Sequence, residues 1–235
     1  VSESKPRGYF EQSSDLTNSL IMITPLLLLY EVGLLVTRFE TLNGVDFATI
    51  TVLHYGGFRG LIGFNVAVLA GISVAAAMRR REHALSPGIL PRLLVESTFY
   101  AFASAFVVSA IVGALPLGPP SGMTPIEGFF ASLGAGVNEE LFFRLFLYKT
   151  LAWVLARGKK ENEVACIIAA ILSSVAFSAA HYMGGESFRV VSFVDRFLFG
   201  LVFCALLEWR GLAVAVYTHA IFDIYVLVVL ALISR

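Results

Sequence analysis

The sequence predicts an all-α fold: a polytopic membrane bundle of about seven transmembrane helices, in one domain over residues 1–235. Three observations carry that expectation. The chain is 57% hydrophobic and only 14% charged, with mean hydropathy +0.80, whereas soluble domains carry ~25% charged residues. So much apolar surface does not fit inside one soluble core of this size. The apolar residues also fall into long runs, each near the ~20 residues that a bilayer crossing requires. Finally, no internal repeat or low-complexity tract divides the chain.

The predicted spans are 19–37, 61–78, 98–117, 126–156, 163–183, 190–207 and 212–233. The first has Glu31 inside it, after Tyr30, where the carboxylate would line a cavity or bond a neighbouring helix. The second ends at Arg79-Arg80-Arg81. From Arg80 to Glu96, Pro87 and Pro91 break a mixed polar and apolar stretch, which is expected to lie along the membrane interface. The third span stops at Leu117-Gly118-Pro119-Pro120-Ser121-Gly122, a firm turn signal. The fourth exceeds bilayer thickness, which implies tilt or an extension into water.

Positive charge sets the orientation. One side collects Lys5, Arg7, the Arg79–Arg81 cluster, Arg92, Arg157, Lys159, Lys160 and Arg210, about twice the number on the other. The N-terminus is therefore expected in the cytoplasm. The first apolar stretch is too long for a signal h-region and lacks a small-x-small site, so no cleavable signal is expected. Balanced charge, Lys+Arg 17 against Asp+Glu 17, gives no footprint for nucleic acid. Cys166 and Cys204 fall in apolar runs without C-x-x-C spacing and read as free buried thiols.

Against this background the sequence Asn138-Glu139-Glu140-Leu141-Phe142-Phe143-Arg144 stands out. A charge at the centre of a span costs ~2.5–3.5 kcal/mol even on insertion scales, so ionisable groups there point to function. Glu140 and Arg144 are i,i+4 neighbours and can pair. An α-helical register turns Glu139 about 100° away, toward a different partner. Gly134, Ala135 and Gly136 precede the cluster and would let neighbouring helices approach closely. The fifth span carries Phe177-Ser178-Ala179-Ala180-His181, and the last carries His219-Ala220-Ile221-Phe222-Asp223. Each alone is compatible with a polar clasp between helices. Together, on three spans, they require a shared polar cavity, because each avoids lipid only by meeting the others.

A carboxylate and an imidazole can together deprotonate water, and a second imidazole can donate to a developing oxyanion. That set suffices for amide hydrolysis. No G-x-S-x-G elbow is present and no Cys lies in these motifs, which argues against a nucleophilic enzyme.

E-E-x-x-x-R, F-x-x-x-H and H-x-x-x-N/D, in this order on separate helices, resemble the CAAX protease and bacteriocin-processing (CPBP) family, and within it the type II CAAX prenyl endopeptidases. The resemblance covers residues 126–223. It implies a glutamate-type intramembrane endopeptidase without a cofactor. Glu139 would be the main catalytic carboxylate, activating water with His181. Glu140 and Arg144 would orient the site, and His219 and Asp223 would stabilise the oxyanion. Many relatives carry Asn where this chain has Asp223. An ionised carboxylate only accepts hydrogen bonds, so Asp223 is expected to orient His219 rather than touch the oxyanion.

The implied partners are the lipid bilayer and a membrane-associated peptide or protein, with a lipidated C-terminus as one form. Phe129, Phe130, Phe142, Phe143, Phe197 and Phe199 would line a greasy entrance or fill the core. Two other functions fit the same residues. A zinc peptidase would use Glu139, His181 and His219 as three ligands, and a non-catalytic binding or immunity protein would need no complete motif set. One tension remains in the linear reading: His181 falls late in its span and His219 early in its own, at different depths.

Overall fold

The computed structural model describes residues 8–79, 85–86, 88–113, 122–159, 162–184 and 186–233. These form eight helices and, among the described residues, no strand. They are α1 (Tyr9–Ser14), α2 (Leu16–Val36), α3 (Phe47–Arg79), α4 (Ile89–Val112), α5 (125–155), α6 (Glu163–Ala180), α7 (Val190–Arg210) and α8 (Leu212–Ile233). Six helices are long and apolar enough to cross a membrane: α2, α3, α4, α6, α7 and α8. The chain is thus an integral, multi-pass membrane protein. The remaining predicted span, 126–156, corresponds to α5, which runs unbroken and carries Glu139, Glu140 and Arg144.

Helix boundaries follow local chemistry. Thr124 and Glu127 form a reciprocal capping box, 3.3 and 2.7 Å, with Pro125 next to it in the first turn of α5. Asn162 caps α6 through Ala165 N at 2.8 Å. α4 begins earlier than predicted, because Pro91 sits in its first turn, where a missing N–H costs nothing. The expected interfacial stretch therefore shrinks, and its residues 80–84 and 87 lie outside the described ones, as do 117–121 of the predicted turn. α3 begins at Phe47 but breaks at Gly57, at φ 57 and ψ −157, a conformation that suits glycine. The segment beyond that break corresponds to the predicted span 61–78.

α8 is the central helix. Leu212–Ala220 are buried without exception, against α2, α4, α5 and α7. α7 passes into α8 through the single residue Gly211, at φ 93. A Cβ at Gly211 would stand 2.7 Å from Ser14 Cα, so α1 lies directly over this turn. α8 therefore starts within the core rather than at the rim. That removes the depth conflict: a helix that begins deep can place an early His219 beside a late segment of α6.

The turn is clasped by a buried ion pair. Arg210 donates from Nε to Glu96 Oε1 at 2.5 Å and from Nη2 to Ser13 Oγ at 3.0 Å. Its guanidinium lies 4.3 Å from the Phe10 ring, and Tyr9 donates its hydroxyl to Glu96. Glu31 bonds a neighbouring helix, accepting from Thr49 at 3.3 Å and Asn65 at 3.2 Å on α3. Cys204 is buried, whereas Cys166 is only half-buried, and neither forms a disulfide among the described residues.

Candidate active site

The site is built on α5, where it departs from α geometry. Between Pro125–Gly134 and Lys149–Leu155, residues Ala135–Tyr148 follow i→i+5 bonding. Such π segments are rare and occur often at functional sites. Ser173 on α6 steadies this turn by donating to the Phe143 carbonyl at 2.6 Å. Close packing locates it. A Cβ at Gly136 would meet Ala220 Cβ at 2.7 Å and Val216 O at 2.9 Å, and one at Gly134 would meet the Tyr30 ring at 2.4 Å. Both small residues thus do what their positions predict: they let α5 touch α8 and α2.

The widened turn brings the two adjacent glutamates to one imidazole. Glu140 is fully buried and holds His219 Nδ1 at 2.8 Å through Oε1. Glu139 places Oε2 3.9 Å from His219 Nε2. Both carboxylates thus lie near His219, although only Glu140 hydrogen-bonds it. Asp223, one turn along α8, sets Oδ2 3.5 Å from the same Nε2, as expected for a group that orients His219. The ring of His219 stacks on Phe203 at 4.6 Å and 16° and meets the edge of Phe177 at 6.0 Å.

Arg144 joins the cluster in an unusual way. Its Nε lies 3.4 Å from Glu140 Oε2, the predicted i,i+4 pair, yet none of its three nitrogens makes a hydrogen bond among the described residues. The guanidinium instead lies over aromatic rings, 4.0 Å from Phe177 and 5.2 Å from Phe203. Aromatic faces attract a cation without directional bonds. Asn138 Nδ2, Glu139 Oε2 and Glu140 Oε2 are likewise buried without a hydrogen-bond partner. Buried polar groups are nearly always paired in native proteins, so this concentration of open donors and acceptors on one helix turn marks a place for polar guests.

His181 ends α6, in the 3₁₀ turn His181–Gly184. Its Nδ1 lies 2.9 Å from the Phe177 carbonyl, which can only accept, so Nδ1 carries the hydrogen and Nε2 is the nitrogen presented outward. Its ring meets the edge of Phe177 at 5.1 Å. Phe177 thereby contacts both imidazoles. Among the described residues no ion pair joins His181 to Glu139; the carboxylate closest to Glu139's ring partner belongs to Glu140 and Asp223 on His219. Glu186, beyond the end of α6, is bound by Arg196 at 2.8 Å. Burial pushes its carboxyl up, but the hydrogen bonds and charge of Arg196, with His181 nearby, hold it below the usual range.

The loop between α2 and α3 supplies a group the motifs did not reveal. Asn43 donates from Nδ2 to Glu139 Oε1 at 2.9 Å. The six phenylalanines divide: Phe130, Phe143 and Phe199 are core residues, whereas Phe129, Phe142 and Phe197 are partly exposed. Phe142 contacts Phe47 of α3 at 5.2 Å and Phe146 at 5.9 Å, forming an aromatic row toward the exposed face of α5.

The three motifs thus meet around one π turn inside a bundle of membrane helices, with Phe177 touching both imidazoles. Residues 121–225, which hold every motif, match the family model described as type II CAAX prenyl endopeptidase Rce1-like. No curated protein and no solved structure matches the chain.

Proposed function

We propose that this chain is a glutamate-type intramembrane endopeptidase in which Glu139 and His181 activate the attacking water. The observation that carries it is Glu139 itself. One oxygen is held by Asn43, while the other is buried, unpartnered and 3.9 Å from His219 Nε2. A water lying beside this pair, rather than between its atoms, can hydrogen-bond both at about 2.8 Å. The water gives one proton to Glu139 or His181 Nε2 as its oxygen bonds to the scissile carbonyl carbon. His219, in protonated form, donates from Nε2 to the oxyanion. The C–N bond then breaks, and the stored proton passes to the leaving amine. Glu140 orients His219 through Nδ1, Arg144 offsets the carboxylate charge, and Asp223 lies beside Nε2 and favours the charged ring.

The substrate class is a membrane-associated peptide or protein. The description of the matching family names a CAAX prenyl endopeptidase, and the row Phe47–Phe142–Phe146 offers an apolar surface for a prenyl group. The charge distribution supports an N-terminus in the cytoplasm. A zinc-centred mechanism needs three converging ligands. Among the described residues no three His, Cys, Asp or Glu side chains are grouped to hold a metal ion, which favours direct water activation.

The test is cleavage of a farnesylated C-terminal peptide by protein reconstituted in liposomes. Glu139→Gln and His181→Ala are each expected to abolish it while the protein remains folded in detergent. Full activity in Glu139→Gln would reject the mechanism.

A further inference from the structure

Glu139 owes its orientation to a residue outside all three motifs. The α2–α3 loop is tied at Asn43 on every side. Its N–H donates to Tyr30 Oη at 3.0 Å, its Oδ1 accepts from Val45 N at 3.0 Å, and its carbonyl accepts from Asp46 N at 3.0 Å. Tyr30 in turn donates to Asp46 Oδ2 at 3.1 Å, and its fully buried ring rests against Gly134 one turn before the site. The side-chain amide therefore has one permitted orientation. Oδ1 is committed to an N–H donor, which leaves Nδ2 aimed at the Glu139 carboxylate at 2.9 Å.

A carboxylate has two equivalent oxygens, and a base on a flexible glutamate could present either. The amide of Asn43 removes that choice. It holds Oε1 and leaves Oε2 as the one oxygen facing His219. An amide neither takes nor gives a proton at neutral pH, so it cannot share the base's task. We propose that Asn43 is a positioning residue, fixing the Glu139 carboxylate so that Oε2 alone receives the proton of the attacking water. This inference rests on the water-activating role of Glu139. Supporting groups of this kind typically lock a catalytic side chain within a fraction of an ångström.

The experiment uses the full chain in liposomes with the farnesylated peptide, together with infrared spectra of the same samples. Asn43→Asp keeps the acceptor that Val45 needs but replaces the donor with a second acceptor. The wild-type minus Glu139→Gln difference spectrum isolates the Glu139 carboxylate band. Asn43→Asp is expected to shift that band, and to lower kcat by roughly 10–100-fold with KM within about twofold. Asn43→Gln, which retains a donor on a longer arm, is expected to recover part of the rate. In a Glu139→Gln background, Asn43→Asp is expected to change nothing further. An unmoved band overturns the proposal whether or not this peptide is cleaved, as does an Asn43→Asp rate within twofold of wild type. An inactive Glu139→Gln with a fully active Asn43→Asp removes only the positioning role. A fully active Glu139→Gln removes the water-activating role itself.

Discussion

Two buried arginines sit at opposite extremes of satisfaction. Arg210 donates to Glu96 and Ser13, stacks on Phe10, and seals the turn between α7 and α8. Arg144, equally buried, makes no hydrogen bond among the described residues and lies among aromatic rings beside Glu140. The first arrangement is what a stable fold asks of a buried cation. The second keeps strong donors and acceptors open in a low-dielectric interior, at a cost in stability, and the open atoms cluster around Glu139. The contrast separates the residues that hold the bundle from the residues that use it.

That contrast breaks first at the catalytic end. Glu139→Gln is isosteric and removes a charge that has one hydrogen-bond partner, so the fold should persist. Removing a general base costs roughly 10²–10⁴-fold in rate. Peptide cleavage and thermal unfolding in detergent, measured on one preparation, should therefore diverge. For Arg210→Ala the divergence reverses. Leaving half-buried Glu96 without its partner is expected to cost ~1–3 kcal/mol, seen as a lower unfolding midpoint, with cleavage falling only as folded protein is lost.

A smaller effect sharpens the role of close packing. Gly136→Ala puts a methyl into the contact with Ala220 and Val216, and such overpacking costs ~1–3 kcal/mol. Because the same contact fixes the π turn, cleavage and stability should fall together, a pattern neither Glu139→Gln nor Arg210→Ala shows. The smallest effect belongs to Glu186 and Arg196 at the surface. The Glu186 carboxyl is held below its ordinary range. Its contribution is therefore present above the unfolded-state value and is lost as pH falls through the lower folded-state value. For a pair with the carboxylate 40% exposed this is worth well under ~1 kcal/mol. Unfolding midpoints of wild type and Glu186→Gln should approach each other in acid and differ slightly at neutral pH.

Much of the architecture was legible because membrane spans are written in hydropathy, and the motifs stand out as charges where lipid forbids them. Gly134 and Gly136 were readable as contact points for the same reason that any Cβ there collides. Three features were not legible. The π turn depends on packing of α5 against α6 and α8, so a regular α register does not show that Glu139 also comes within 3.9 Å of the ring that Glu140 holds. The depth of His219 depends on α1 covering Gly211, which links residues far apart in sequence. Asn43 lies in a loop with no local pattern to distinguish it from a turn-forming asparagine, and only the fold brings it to Glu139. Pro91 misled in the other direction, since a proline marks a break or a first turn with equal ease.

The most direct test of the central claim is peptide mass spectrometry on membranes carrying the wild-type chain against membranes carrying Glu139→Gln at equal abundance. Glu139-dependent hydrolysis predicts a set of cleaved termini present with the wild type and missing with the variant. Identical cleaved termini at equal intensity in both membranes would contradict it.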